Sequence, residues 1–379
     1  MGASVAWWLT KLSPGLRICV IERDPTYAKA ATALSLASIR SQFSNPVNVE
    51  ISRFGVQFLR EFGARLHLDA GQGDLGLKEN GYLFLGGAPE SPDVMTDLAE
   101  MQRSLGAATQ VLTPGEVAAK WPWMQTADLT AGSFGPRDEG WFDNMGLLGG
   151  FRTAARRAGV EFMHDTATGL QMDGDRVSGV RLASGAVMGC GVVVNCAGTR
   201  SATVMGWAGV GLPVEPRKRT VFVIDAPNAR HPEAPLIIDH QGYYMRPEQG
   251  GWITATVPQD DGPCDPDDFE PDAHLFEEVI WPMLYQRSEG FDAVKVRRLW
   301  VGHYDYNTLD QNAVLGAVPG RANLYLAAGF SGHGLQQSPA VGRGLAELVV
   351  EGGYRSLDLS ELGMARVLAG RPFLERAIV

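Results

Sequence analysis

The sequence predicts a mixed α/β fold in which a parallel-sheet domain is interrupted twice by a domain built on an antiparallel sheet. Three observations lead there. The chain opens with a helical stretch, 1–9, and passes into an apolar strand, 16–23, that ends in acid. Near its other end an apolar run, Leu324–Leu326, meets a turn holding Gly329, Gly332 and Gly334, then a helical pattern over 339–349. Between these, 213–310 is rich in short runs that alternate apolar and polar residues, the period of half-buried strands.

The first segment reads as the second half of a Rossmann-like βαβ unit. In such a unit a G-x-G-x-x-G turn precedes the helix, and an acid about twenty residues further on meets a ribose hydroxyl. Gly2 suits the last glycine, and Glu22, followed by Arg23, stands twenty positions later. The expectation is a chain that starts inside this motif, without its first strand and first two glycines. Read more plainly, Gly2 and Glu22 open a helix and close a strand.

The stretch 30–43 is small and polar, without a clear period. Apolar residues at Val49, Ile51, Phe54, Phe58 and Leu59 give 46–62 the pattern of an amphipathic helix. A strand at 81–85 and a helix near 94–105 follow. Thr113-Pro114-Gly115-Glu116 combines a cap, a proline at the first helical position and a capping-box acid. Asp143 caps a helix over 145–158 that Gly159 ends. Short strands lead to Val192–Cys196, which runs into Ala197-Gly198. One helix, 272–286, breaks the strand-rich region, and the acidic, proline-rich 260–272 reads as a solvated loop. The expected domains are 1–80, 145–212 and 311–379 for the parallel-sheet domain, and 81–144 and 213–310 for the other.

Composition narrows the function. The chain has 379 residues and a formal charge of −10, which argues against nucleic acid and gives no attraction to anionic membranes. No apolar run reaches membrane-spanning length. Cys19, Cys190, Cys196 and Cys264 have no metal-ligand spacing, so no metal is expected. A cytoplasmic location is the default.

The wording of the glycine turn, Gly329-Phe330-Ser331-Gly332-His333-Gly334, resembles the C-terminal flavin-binding segment of the FAD-dependent oxidoreductases related to D-amino-acid oxidase, sarcosine oxidase and dimethylglycine dehydrogenase. The resemblance covers nearly the whole chain. It implies a D-amino-acid oxidase/glutathione reductase-like fold and an FAD that accepts hydride from a C–N bond of an amine or (N-methyl) amino acid. Oxygen or an electron-transfer acceptor then reoxidises it. It also implies cofactor contacts from Gly2, Glu22, Arg23, Ser35, Ser38, Ile39, Arg40, Gln42, Ala167, Gly198, Gly329, Ser331, Gly332, His333, Gly334, Leu335 and Gln336.

The departures concern the substrate. Gln336 stands where sarcosine oxidases have a lysine, and Tyr304 where glycine and D-amino-acid oxidases have an arginine. Arg40, Arg246 or Arg298 are the replacement cations on offer. His303 takes the place of the cysteine that carries covalent FAD, so noncovalent FAD is expected. Tyr244, His303, Tyr304 and Arg246 are the expected catalytic residues, with Tyr243 and Tyr306 as further pocket candidates. The segment 302–312 with 334–337 is most similar to the FAD-dependent oxidoreductase domain proteins linked to complex I assembly. Two alternatives stay open: an FAD-binding protein with mainly an assembly or partner-binding role, or a chain too short to bind FAD.

Overall fold

The computed structural model describes residues 1–69 and 71–375. The first helix, Gly2–Leu12, buries every residue from Ala3 to Leu9. Trp7 meets the rings of Phe58 and Phe151 edge-on at 5.9 and 5.7 Å. Buried aromatics of this kind contribute roughly 3–5 kcal/mol against truncation to alanine. The helix crosses the long helix Gly334–Glu351 at Gly342, where a Cβ would stand 2.2 Å from Ser4 Oγ. Ser4 Oγ uses that closeness to donate to the Ser338 carbonyl at 2.7 Å.

Short parallel pieces surround this helix pair. Cys19–Glu22 pairs in parallel with Glu161–His164. Val193–Asn195 pairs in parallel with Leu324–Ala328, which also pairs antiparallel with Val314–Ala317. Cys19–Glu22 and Val193–Asn195 belong to separate sheets, each paired along one edge.

The largest sheet has eight strands, in the order Lys295–Asn307, Val214–Asp225, Gly251–Thr256, Tyr243–Glu248, Leu236–Ile238, Tyr82–Gly86, Ala131–Gly135 and Gln110–Leu112. All neighbours are antiparallel except Leu236–Ile238 and Tyr82–Gly86. Alternation splits its residues by face. Phe222, Tyr243, Met245 and Trp252 pack in one cluster, while Tyr82, Val221, Leu236, Ile238 and Tyr244 pack in another.

Local signals were obeyed where side chains act on nearby backbone. Pro46 opens the helix Pro46–Arg60, and Thr113 with Glu116 forms a complete capping box. Asp143 accepts from the Met145 and Gly146 amides. One expectation needs correction and another an addition. The single helix at 272–286 is a π-helical turn, Phe276–Ile280, followed by the helix Trp281–Arg287. Pro282 there has no N–H to give an α-helical ladder. The loop 260–272 is solvent-facing as expected, with no buried residue, but it is also a strap, because arginines and a lysine pair with four of its acids. Asp261 meets Arg219, Asp267 meets Arg23 and Arg200, and Asp268 and Asp272 meet Lys218.

Candidate active site

A cavity of about 1690 Å³ takes its lining from both parts of the fold. It exceeds the ~300–1,000 Å³ of an ordinary small-ligand pocket. Gly2, Glu22, Arg23, Thr166, Ala167, Gly198 and Arg200 line it from the parallel-sheet part. Arg219, Val221, Leu236, Ile238, Tyr244, His303 and Tyr304 line it from the large sheet. Phe330 to Gln336 lies between them in the lining.

The glycine turn is held by backbone geometry. Gly329, Ser331 and Gly332 have φ of 70, 49 and 97°. A Cβ on Gly332 would stand 2.8 Å from the Tyr304 ring, so only glycine lets turn and ring touch. Asp305 fixes the turn from the neighbouring strand. Its carboxylate accepts the Gly329 amide at 2.9 Å, and its carbonyl accepts the Ser331 amide at 3.1 Å. Ser331 Oγ accepts the Asn307 amide at 3.0 Å. Burial raises the Asp305 carboxyl to about 6, against the pull of the Phe330, Asp305 and Gly329 amides.

His333 follows in the same turn. Burial and the nearby Arg40 charge lower its imidazole to about 3, so it is neutral at physiological pH. Arg40 Nη2 lies 3.0 Å from its Nε2. Arginine only donates, so Nε2 accepts and the ring proton sits on Nδ1. Arg40 also lies over Phe43, 4.1 Å from the ring centroid. Behind it, Glu139 accepts from the Ser41 amide and Gln42 Nε2, both at 2.8 Å. Burial pushes the Glu139 carboxyl up to about 7.

Strand register builds the roof. Arg219 pairs with Gly302 and Arg217 with Tyr304, which puts Arg219 and Tyr304 on one face. The guanidinium stands 5.0 Å from the Tyr304 ring centroid. Arg219 donates from Nη1 and Nη2 to the two Asp261 oxygens at 2.5 and 2.9 Å, and its Nε has no partner. Tyr244 is buried beside Tyr304, and burial raises its phenol well above its ordinary range. His303 lies edge-on to Phe269 of the strap at 4.6 Å. Burial lowers its imidazole too.

Most of the residues expected from the sequence line this cavity: Gly2, Glu22, Arg23, Ser35, Ser38, Arg40, Ala167, Gly198, Ser331, Gly332, His333, Gly334, Leu335, Gln336, Tyr244, His303 and Tyr304. Several do not. Ile39 is core, Gln42 spends its amide on Tyr82, Glu139 and Ser133, and the Gly329 amide faces Asp305. Arg246 pairs with Glu248 and stacks on Trp141, beyond the lining. Arg298 stacks on Trp300, Tyr243 belongs to the opposite face, and Tyr306 lies under Arg217. Sequence reading missed Arg219, Asp261, Asp305 and Glu139. The run Arg217-Lys218-Arg219 followed by the acids of 260–272 was the available signal for the first two.

The residues suit FAD. At Gly198, φ is 56° and no atom lies within 4 Å of where a Cβ would be, so backbone is bared to a ligand. The helix Gly2–Leu12 has its N-terminus in the lining, where a diphosphate is favoured. The Glu22 carboxylate accepts the Asp24 amide on Oε1 and lines the cavity, as a ribose acceptor would. Among the described residues there is no metal-holding cluster, and all four cysteines are free.

Comparison with known proteins agrees with this geometry. The profile of the family described as FAD dependent oxidoreductase matches residues 1–348. A Xenopus laevis protein named FAD-dependent oxidoreductase domain-containing protein 1 is 39% identical over 414 aligned residues, covering 100% of this chain and 83% of that protein. The crystal structure of L-proline dehydrogenase from P. horikoshii superposes with a TM-score of 0.85 at 25% identity, covering 98% and 96% of the two chains. Glycine oxidase from Geobacillus kaustophilus gives 0.80 at 22% identity, covering 96% and 95%.

Proposed function

Because this chain belongs to the FAD-dependent oxidoreductase family, we propose that it oxidises a C–N bond of a small amine or (N-methyl) amino acid. The observation that carries this reading is the two-sided cavity. Glycine turns and Glu22 line it from one part of the fold, and a tyrosine-bearing apolar roof lines it from the other. FAD, when bound, supplies the two-electron acceptor. Gly2, Glu22, Arg23, Ala167, Gly198 and the turn 331–336 would hold it, without a covalent bond.

The protein's own part is to bind, orient and dry the substrate. Tyr244, Tyr304 and His303 would contact it, with the apolar side chains Val221, Leu236 and Ile238 beside them. His303 and His333 are held neutral by burial, so neither brings a positive charge against a substrate amine. Oxidation of a neutral amine asks for little acid–base machinery. L-proline dehydrogenase and glycine oxidase, the proteins it resembles in structure, act on amino acids by name. Oxygen or a protein electron carrier would take the electrons, and a cytoplasmic location belongs to the same reading.

The test is anaerobic mixing of the FAD-loaded protein with a panel of primary, secondary and N-methyl amines and amino acids. Bleaching of the visible flavin band by at least one compound is expected. No bleaching across the panel would favour the partner-binding role instead.

A further inference from the structure

The roof carries one lining cation, and it is already engaged. Arg219 is the only arginine or lysine of the eight-stranded sheet that lines the cavity, among the described residues. It is 4% exposed. Asp261 holds it end-on, and the Lys218 carbonyl takes the other hydrogen of Nη1 at 2.9 Å. Its neighbours are engaged in the same way. Arg217 Nε donates to Glu215 at 2.8 Å and its Nη1 lies 3.7 Å from Asp261, while Lys218 lies between Asp268 and Asp272. A free carboxylate brought to this roof would meet a guanidinium whose charge is already balanced, with the Asp261 carboxylate behind it. Arg219 Nε is itself shielded, as is the Tyr244 hydroxyl, so what the roof offers a ligand beside the balanced ion pair is the uncharged Tyr304 phenol, which is partly exposed and lines the cavity.

We propose that Asp261 is the specificity-determining residue of this site. By holding Arg219 it makes the roof select a substrate that offers an uncharged acceptor, such as an amide, ester or hydroxyl oxygen, over one that offers a free carboxylate. The apolar neighbours Val221, Leu236 and Ile238 receive the hydrocarbon part of the same molecule. The other lining cation near the turn, Arg40, donates to the Gln42 carbonyl and lies against His333, on the cofactor side of the cavity. This proposal rests on the amine-oxidation reading and narrows its substrate class.

The probes are benzamide and benzoate, which share a ring and differ in charge. Each is titrated into the FAD-loaded protein and followed by the shift of the visible flavin spectrum. Wild type is expected to bind benzamide more tightly than benzoate. Asp261→Asn, which removes the charge but keeps an acceptor for Arg219, is expected to improve benzoate relative to benzamide by about tenfold or more. Asp261→Glu keeps the charge and should keep the wild-type order, which separates specificity from mere disturbance of the fold. Tighter benzoate than benzamide in wild type, or an unchanged ratio in Asp261→Asn, overturns the proposal. Failure of the amine panel to bleach the flavin while the probes behave as stated would sink the reaction and leave the charge assignment standing.

Discussion

The two walls of the cavity are built by different rules. The glycine turn, 329–334, is a run of neighbouring residues whose shape is fixed by positive φ at three positions. The roof gathers residues far apart in sequence, from Tyr82 to Tyr304, through strand register and ion pairs. A wall of the first kind should fail at a single backbone position. One of the second kind should degrade by steps, each the size of the interaction removed.

The largest effect is expected at Gly332. Gly332→Val adds a branched Cβ at φ 97°, 2.8 Å from the Tyr304 ring. It should cost about 2–4 kcal/mol in denaturant unfolding and abolish FAD retention on gel filtration. A variant that keeps both stability and FAD would break the claim that this turn depends on the positive φ and missing Cβ of Gly332. Next comes Asp305→Ala, which strips the Gly329 amide of its buried acceptor. About 1–3 kcal/mol should be lost, with weaker FAD binding by fluorescence titration. An effect on substrate KM alone would place Asp305 with the roof.

Glu139 gives an effect that depends on pH. Burial lifts its carboxyl to about 7, so the folded chain holds that proton more tightly than the unfolded chain does. The stabilisation is full below the ordinary carboxylate range and is lost as pH rises through 7. The melting temperature of wild type minus that of Glu139→Gln should therefore fall between pH 5 and pH 8, by the equivalent of about 1–3 kcal/mol. His333 bends both curves the other way, because its lowered pKa loses stability only as pH falls. The difference between the two proteins isolates Glu139, and a flat difference would refute its assignment. The smallest effect is expected from Asp267→Asn, which removes the exposed pairs to Arg23 and Arg200. The change should stay below about 1 kcal/mol and vanish at high salt.

The same contrast explains what was legible in the sequence. The turn, the capping box at Thr113 and the cap at Asp143 are local, so residue identity and spacing sufficed. Glu22 and Gly198 followed from the strand-to-turn pattern. The roof depends on which residues sit opposite each other. Arg246 was expected in the site and Arg219 was not singled out, although Arg246 does share the Tyr244 face of its strand. Its position two residues further along takes it to Glu248 and Trp141 instead. The strap showed in the sequence only as a solvated loop, because the partners of its paired acids, Arg23, Arg200, Arg217, Lys218 and Arg219, are brought to it by the fold. Gln42 and Ile39 were in the right loop, but alternation along the short strand Ser38–Ile39 turns Ile39 into the core, and Gln42, past the end of that strand, gives its amide to Tyr82, Glu139 and Ser133.

The central claim is that a noncovalent FAD occupies the cavity against the glycine turn. The most direct measurement is the visible absorption of the purified chain, supplied with FAD and freed of excess, before and after acid precipitation. One FAD per chain, released entirely into the supernatant by acid and missing from Gly332→Val, is the predicted result. A chain that retains no FAD, or one that keeps it in the acid pellet, would contradict the account.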